Sequence, residues 1–258
     1  MTAAAARKPR PGHAPPRIIG HRGAAGLAPE NTPVSFRKAA ELGVGWVEFD
    51  VHLSGDGVPV VIHDDTVNRT TSGKGDVATL PLAALQDLDA GAWFGKEFRG
   101  ERVPTLQATI ALLGKLGLGA IVEIKPSPGT AAATAEAAVR LLLKRWPDHL
   151  PPPMVSSFEQ EALERARVVA PGIARALLVG KIPADWQRGV DRLGCTALHA
   201  NQRGLKAAEV AEVTGAGVPL FSYTVNTAKR AAELFSWGVA AIFSDRPDLV
   251  LPVAATAV

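Results

Sequence analysis

Only four residues, Ser54-Gly55-Asp56-Gly57, separate the apolar segments 46–53 and 58–62, whereas every other pair of successive apolar segments is joined by a much longer stretch. A parallel crossover needs about a dozen residues or more, so this link is a hairpin with Asp56-Gly57 in its turn. Segment 58–62 therefore runs antiparallel to 46–53, and pairing back from the turn brings His63 to the level of Asp50. The other strand candidates are 17–20, 120–124, 154–157, 174–179, 197–200, 219–224 and 241–243. Helix candidates between them are 33–42, 105–116, 130–145, 159–169, 206–214 and 227–237, the first with Thr32 as N-cap and Pro33 at its opening position. With the hairpin's return strand set aside, eight parallel strand–helix units remain in about 240 residues, the size and alternation of a (β/α)8 TIM barrel. The fold expected is an α/β protein, a distorted (β/α)8 barrel with a β-hairpin and a small capping insertion after the second strand.

Residues 1–16 carry basic residues and prolines without an apolar core and read as a disordered N-terminal arm. Residues 17–258 read as one barrel domain. Its insertion, about 64–104, is rich in turn signals such as Ser72-Gly73-Lys74-Gly75-Asp76 and poor in periodicity. The 28 Lys+Arg against 25 Asp+Glu leave a net charge of +3, spread without a basic block, which excludes a nucleic-acid partner. The apolar tail 249–258 is too short to span a bilayer and contains Pro252, so no stable membrane insertion is expected, and without an export signal the expected location is the cytoplasm. Cys195 is the single cysteine, which excludes an intrachain disulfide and a cysteine-based zinc site and suits a small packing residue.

Barrel active sites lie at the C-terminal ends of the strands. The first strand ends in His21-Arg22-Gly23. The second carries Glu48 and Asp50, two apart and so on one side of the strand. The third parallel strand ends in Glu123-Ile124-Lys125, and the hairpin returns His63-Asp64. Glu48, Asp50 and Glu123 would converge in one mouth, where three like charges need a compensating cation. All-oxygen ligands favour one hard divalent ion, Mg2+ or Ca2+. His21 and His63 reach the same mouth and form a candidate acid–base pair. Arg22 and Lys125 add fixed positive charge that suits an anionic small molecule such as a phosphodiester. Ser156-Ser157 lacks a nucleophile elbow and offers hydroxyl hydrogen bonds only. Ser72-Gly73-Lys74-Gly75 lacks phosphate-loop spacing. His13 and His149 need no role, and His52, high on the hairpin, is expected to face solvent. Trp93-Phe94 in the insertion suit either the mouth or a subunit contact; the oligomeric state is left open.

The order His21-Arg22-Gly23, Pro29-Glu30-Asn31-Thr32, Glu48-Phe49-Asp50-Val51, Asp56-Gly57, His63-Asp64, Arg69-Thr70, Pro104-Thr105-Leu106 and Glu123-Ile124-Lys125 resembles the glycerophosphodiester phosphodiesterases. The C-terminal half agrees through Ser156-Ser157-Phe158, Tyr223-Thr224-Val225-Asn226 and Ser244-Asp245, and its detail is most similar to the cytosolic bacterial form. The chain departs from the family at Tyr223, where tryptophan is common, and at Ser244, where threonine is common. The resemblance implies metal-dependent hydrolysis of glycerophosphocholine, glycerophosphoethanolamine and similar diesters to sn-glycerol 3-phosphate and an alcohol. It implies Glu48, Asp50 and Glu123 as metal ligands and Arg22 and Lys125 on the phosphate oxygens. It also implies His21 and His63 as acid–base pair, with His21 assigned as base and His63 as acid. Lysophospholipase D-like cleavage on the same site and non-catalytic binding of glycerol phosphates are the alternatives.

Overall fold

The structure, a computed structural model, describes residues 15–256; the proposed arm, including His13, lies almost wholly outside the described residues. Eight parallel strands close into a barrel: β1 (Ile18–Gly20), β2 (Trp46–Leu53), β4 (Gly119–Ile124), β5 (Met154–Ser157), β6 (Ala174–Val179), β7 (Ala197–Asn201), β8 (Leu220–Tyr223) and β9 (Ala241–Ser244). The antiparallel β3 (Pro59–Val61) completes the sheet, pairing Val51 with Val61 and Leu53 with Pro59. The barrel's distortion has a local cause. β1 is only three residues long and pairs with β2 at a single position, Gly20 beside Val47. Above that level one edge of β2 has no parallel neighbour, and β3 folds back to cover it while β4 continues on the other edge.

Helices α1 (Pro33–Glu41), α3 (Leu106–Leu116), α4 (Ala131–Arg145), α5 (Gln160–Val169), α7 (Ala207–Gly215) and α8 (Ala228–Trp237) fall where the periodicity puts them. Thr32, Thr105 and Thr227 each accept the N–H three residues on, and Gly117 and Gly238 end their helices in the left-handed conformation. Outside the insertion, two helices are absent from the sequence reading. α6 (Trp186–Leu193) is short and contains Gly189, yet it buries Trp186, Val190 and Leu193 along one face. α9 (Pro247–Thr256) takes up much of the apolar tail despite Pro252. Among the described residues no helix is long and apolar enough to cross a membrane.

The side-chain alternation of the strands sorts the core into layers. Outward residues of β2 and β4, such as Val47, Phe49, Val51, Val122 and Ile124, pack with the helices. Inward residues Ile19, Trp46, Ile121, Met154, Phe221 and Phe243 fill the barrel's lower interior. Continuing two residues along the chain leads from Ile19 to His21, from Trp46 to Glu48 and in two more to Asp50, and from Ile121 to Glu123. The inward face thus changes from apolar to ionisable toward the C-terminal mouth.

Residues 64–104 contain α2 (Leu82–Asp87), two single-turn helices and isolated bridges, including Asp89 with Arg102. Val67, Val77, Leu85 and Val103 bury against Val60 and Ile62 of the hairpin, so the insertion rests on β3 with a small core of its own. This packing corrects the expectation for His52. The residue is only 1% exposed. Its Nε2–H donates to the His63 carbonyl at 3.1 Å.

Gly23 shows how tightly the first loop is set. Its φ is +90°, and an added Cβ would lie 2.4 Å from Ser35 Oγ and 2.7 Å from the Ser35 carbonyl carbon. Gly23→Ala is expected to destabilise by at least about 2 kcal/mol. A urea midpoint unchanged from the parent would show that the loop yields more freely than this geometry allows.

Candidate active site

A cavity of about 420 Å3 opens at the C-terminal ends of the strands, and His21, Arg22, Glu48, His63, Glu123 and Lys125 all line it. Asp50 completes the acidic group from behind the cavity lining, 1% exposed. Glu48, Asp50 and Glu123 each present a carboxylate oxygen within 4.8 Å of the others. The register explains the convergence, since Asp50 and Glu123 are directly paired on neighbouring strands and Glu48 lies one inward position below Asp50.

The loop after β1 wraps this cluster from the other side. Ser35, in the first turn of α1, accepts from Ala24 N–H at 2.8 Å and donates to the Arg22 carbonyl at 2.9 Å. Arg22 is held at a φ of +50°, with its N–H donating to Glu48 Oε2 at 3.2 Å. Its side chain donates to Glu30 Oε1 at 2.8 Å and lies 3.4 Å from Asp50 Oδ2. Asn31, also left-handed, donates to Asp50 Oδ2 at 2.8 Å.

These neighbours divide the three carboxyls. Burial would raise Asp50, but Arg22, His63, Lys125 and the Asn31 hydrogen bond hold it below the usual carboxylate range. Burial, then the charges of Asp50 and Glu123, push Glu48 well above that range. Burial and the Asp50 charge raise Glu123 to about 7. Glu48 Oε1 and Glu123 Oε1 are buried without a hydrogen-bond partner. Two buried carboxylate oxygens that receive no hydrogen bond, beside a third carboxylate, form a donor set that fits a hard divalent cation.

The two histidines stand in matching settings. His21 Nδ1 is 2.5 Å from Asp245 Oδ1, and His63 Nδ1 is 2.6 Å from Asp64 Oδ1. A carboxylate only accepts, so each Nδ1 carries the proton and each Nε2 faces the cavity. His21 Nε2 lies 3.9 Å from Glu48 Oε2. His63 Nε2 accepts from Lys125 Nζ at 3.2 Å, and Lys125 is also 3.5 Å from Glu123 Oε1. Burial holds His63 below its ordinary value, with the Arg22 and Lys125 charges acting the same way and the Asp50 charge against them.

All seven residues singled out from the sequence therefore meet at one mouth. The carboxylate partners of the histidines were not recognised from the sequence. Asp64 is next to its histidine in the chain, a local signal. Asp245, itself held by Asn226 Nδ2–H at 2.7 Å, is 224 positions from His21 and becomes its neighbour only because β9 pairs with β1. Of the other candidates, Ser157 Oγ donates to the Ile124 carbonyl and braces β5 against β4, while Ser156 lines the cavity. Cys195 packs beside the α6–α8 core, and burial raises its thiol to about 12. His149 is tied to the Gly114 carbonyl away from the mouth. Trp93 and Phe94 stack edge to face in the insertion and do not line the cavity.

A family model described as the glycerophosphoryl diester phosphodiesterase family matches residues 21–249. YhdW of Bacillus subtilis is 35% identical over 238 residues, which cover 91% of this chain and 96% of the relative. A glycerophosphodiester phosphodiesterase of Caldanaerobacter subterraneus is 32% identical over 236 residues, with the same coverage of 91% and 96%. Among solved structures, an Oleispira antarctica phosphodiesterase in complex with the product sn-glycerol-3-phosphate superposes with a TM-score of 0.91 at 40% identity, covering 93% of this chain and 97% of that one. The family match over residues 21–249 spans all the barrel strands after β1 and the stretch of chain that carries the residues at the mouth: the chain is an enzyme of the glycerophosphoryl diester phosphodiesterase family.

Proposed function

We propose that this enzyme hydrolyses glycerophosphodiesters such as glycerophosphoethanolamine and glycerophosphocholine to sn-glycerol 3-phosphate and the free alcohol, using one divalent cation and the histidine pair. The observation that carries the reading is the pairing of two aspartate-backed histidines across one cavity with three buried carboxylates between them. The product bound in the Oleispira relative supports the same substrate class.

Glu48, Asp50 and Glu123 hold the cation, Mg2+ or Ca2+. When bound, the ion supplies Lewis-acid charge next to the phosphoryl group and neutralises the carboxylates. Lys125 and Arg22 lend positive charge to the phosphate oxygens and to the charge that grows on them as the fifth bond to phosphorus forms. His21 Nε2 takes the proton from the attacking hydroxyl. His63 acts from its imidazolium form, with a second proton on Nε2. It delivers that proton to the departing alcohol oxygen as the P–O bond breaks and its electron pair leaves with that oxygen, which returns the ring to the Nδ1–H form seen beside Asp64. Asp245 and Asp64 keep both rings in the orientation that aims Nε2 at the substrate.

Purified protein incubated with glycerophosphoethanolamine, with released glycerol 3-phosphate read through a coupled dehydrogenase, tests the proposal. Release is expected with Mg2+ or Ca2+ and not with EDTA, and the series identifies the preferred ion. Activity indifferent to EDTA would remove the metal from the reading. No release with either ion, together with cleavage of a lysophospholipid, would move the substrate to the acyl-bearing class.

A further inference from the structure

Arg69 lies in the capping insertion and does not line the cavity. Its guanidinium nevertheless makes four hydrogen bonds to two carboxylates that touch the site. Nε and Nη2 donate to Asp64 Oδ2 and Oδ1 at 2.7 and 2.9 Å. Nη1 and Nη2 donate to Glu30 Oε2 and Oε1 at 2.8 Å each. The oxygens that share Nη2 are the ones in use below: Asp64 Oδ1 faces His63 Nδ1, and Glu30 Oε1 accepts from Arg22.

We propose that Arg69 is a positioning residue for the reaction. By clamping Asp64 in a double fork with Glu30 it fixes the ring of His63, so that Nε2 meets the leaving oxygen. The inference rests on the proposed role of His63 as proton donor to the alcohol. Isolated ion pairs at a half-exposed arginine contribute little to stability, but a bidentate fork to each of two carboxylates fixes orientation as well as charge. Lysine has the charge without the planar fork and cannot hold both carboxylates in this geometry. Without Arg69, Glu30 and Asp64 become two close anions with no cation between them, and Asp64 turns away from its neighbour. The Glu30–Arg22 contact loosens in the same event, which affects phosphate binding whatever the leaving group is.

The test exploits that difference. Glycerophosphoethanolamine has a poor leaving group that needs a proton, whereas in the p-nitrophenyl ester of glycerol 3-phosphate the phenolate leaves without one. His63→Ala serves as reference. For Arg69→Met the kcat on glycerophosphoethanolamine is expected to fall about 30- to 100-fold, and at least tenfold more than on the p-nitrophenyl ester. Any rise in KM should be similar for the two substrates. Arg69→Lys is expected to retain most of the same selective loss, and it carries the test alone if the methionine variant does not fold by circular dichroism.

A loss equal on both substrates, or no loss, with His63→Ala still selective, overturns the role of Arg69 and leaves the acid assignment intact. Full activity in Arg69→Lys overturns the requirement for the fork. Equal losses for His63→Ala on both substrates overturn the acid role of His63, and the inference falls with it.

Discussion

His63→Ala lowers kcat for glycerophosphoethanolamine by about 10²–10⁴-fold while the affinity for Mg2+ or Ca2+ stays within a few-fold of the parent, the range expected when one positioned acid or base is lost. Turnover and cation affinity separate because His63 touches Lys125 and Asp64 but none of the three carboxylates of the acidic cluster through its ring nitrogens. Asp50 gains from the charge of His63 at longer range, which accounts for the small change allowed in affinity. His21→Ala should give a loss of the same order, with a larger effect on cation binding, because His21 Nε2 lies 3.9 Å from Glu48 Oε2. Steady-state kinetics beside calorimetric titration of the cation check both statements. Near-full activity in His63→Ala would falsify its assignment as the acid.

The second large effect concerns stability without the cation. Burial and the Asp50 charge raise Glu123 from 4.5 to about 7, and Glu48 is raised too, first by burial and then by Asp50 and Glu123. Between about pH 4.5 and 7 the folded protein therefore holds protons that the unfolded chain has released, so stability falls as pH rises through that window. At about 1.4 kcal/mol per unit of displacement, Glu123 alone accounts for a loss on the order of 3 kcal/mol. A divalent cation requires the carboxylates deprotonated, so its stabilising effect grows as the pH rises. Thermal unfolding in EDTA and in saturating Mg2+ at pH 5, 6 and 7 should show a difference in Tm that widens with pH. A difference independent of pH would mean that Glu48 and Glu123 are not protonated in the cation-free fold.

Much of the site was legible before the structure because it is written in strand periodicity. Glu48 and Asp50 share a side of β2 by the alternation alone, and the four-residue link after Leu53 places His63 beside them through local pairing. The barrel then follows from counting crossovers. His52 is buried where the sequence reading exposes it because it pairs with Val60, a residue of the insertion's small core, and lies 3.9 Å from Asp65, neighbours that pattern reading along a strand does not describe. α6 was missed because eight residues with an internal glycine carry a weak periodic signal, although Trp186, Val190 and Leu193 line one buried face.

From the sequence by itself come the α/β barrel, the hairpin and the convergence of three carboxylates and two histidines, since each depends on period, link length or strand order. Closure of the barrel decided the rest. It brought Asp245 to His21 across 224 positions and Arg69 to Glu30 across 39. It also made Asp50 the carboxyl that keeps its charge while Glu48 and Glu123 favour their protons. Those outcomes depend on burial and on distances between groups far apart in the chain, and such energies exist only once the chain is packed.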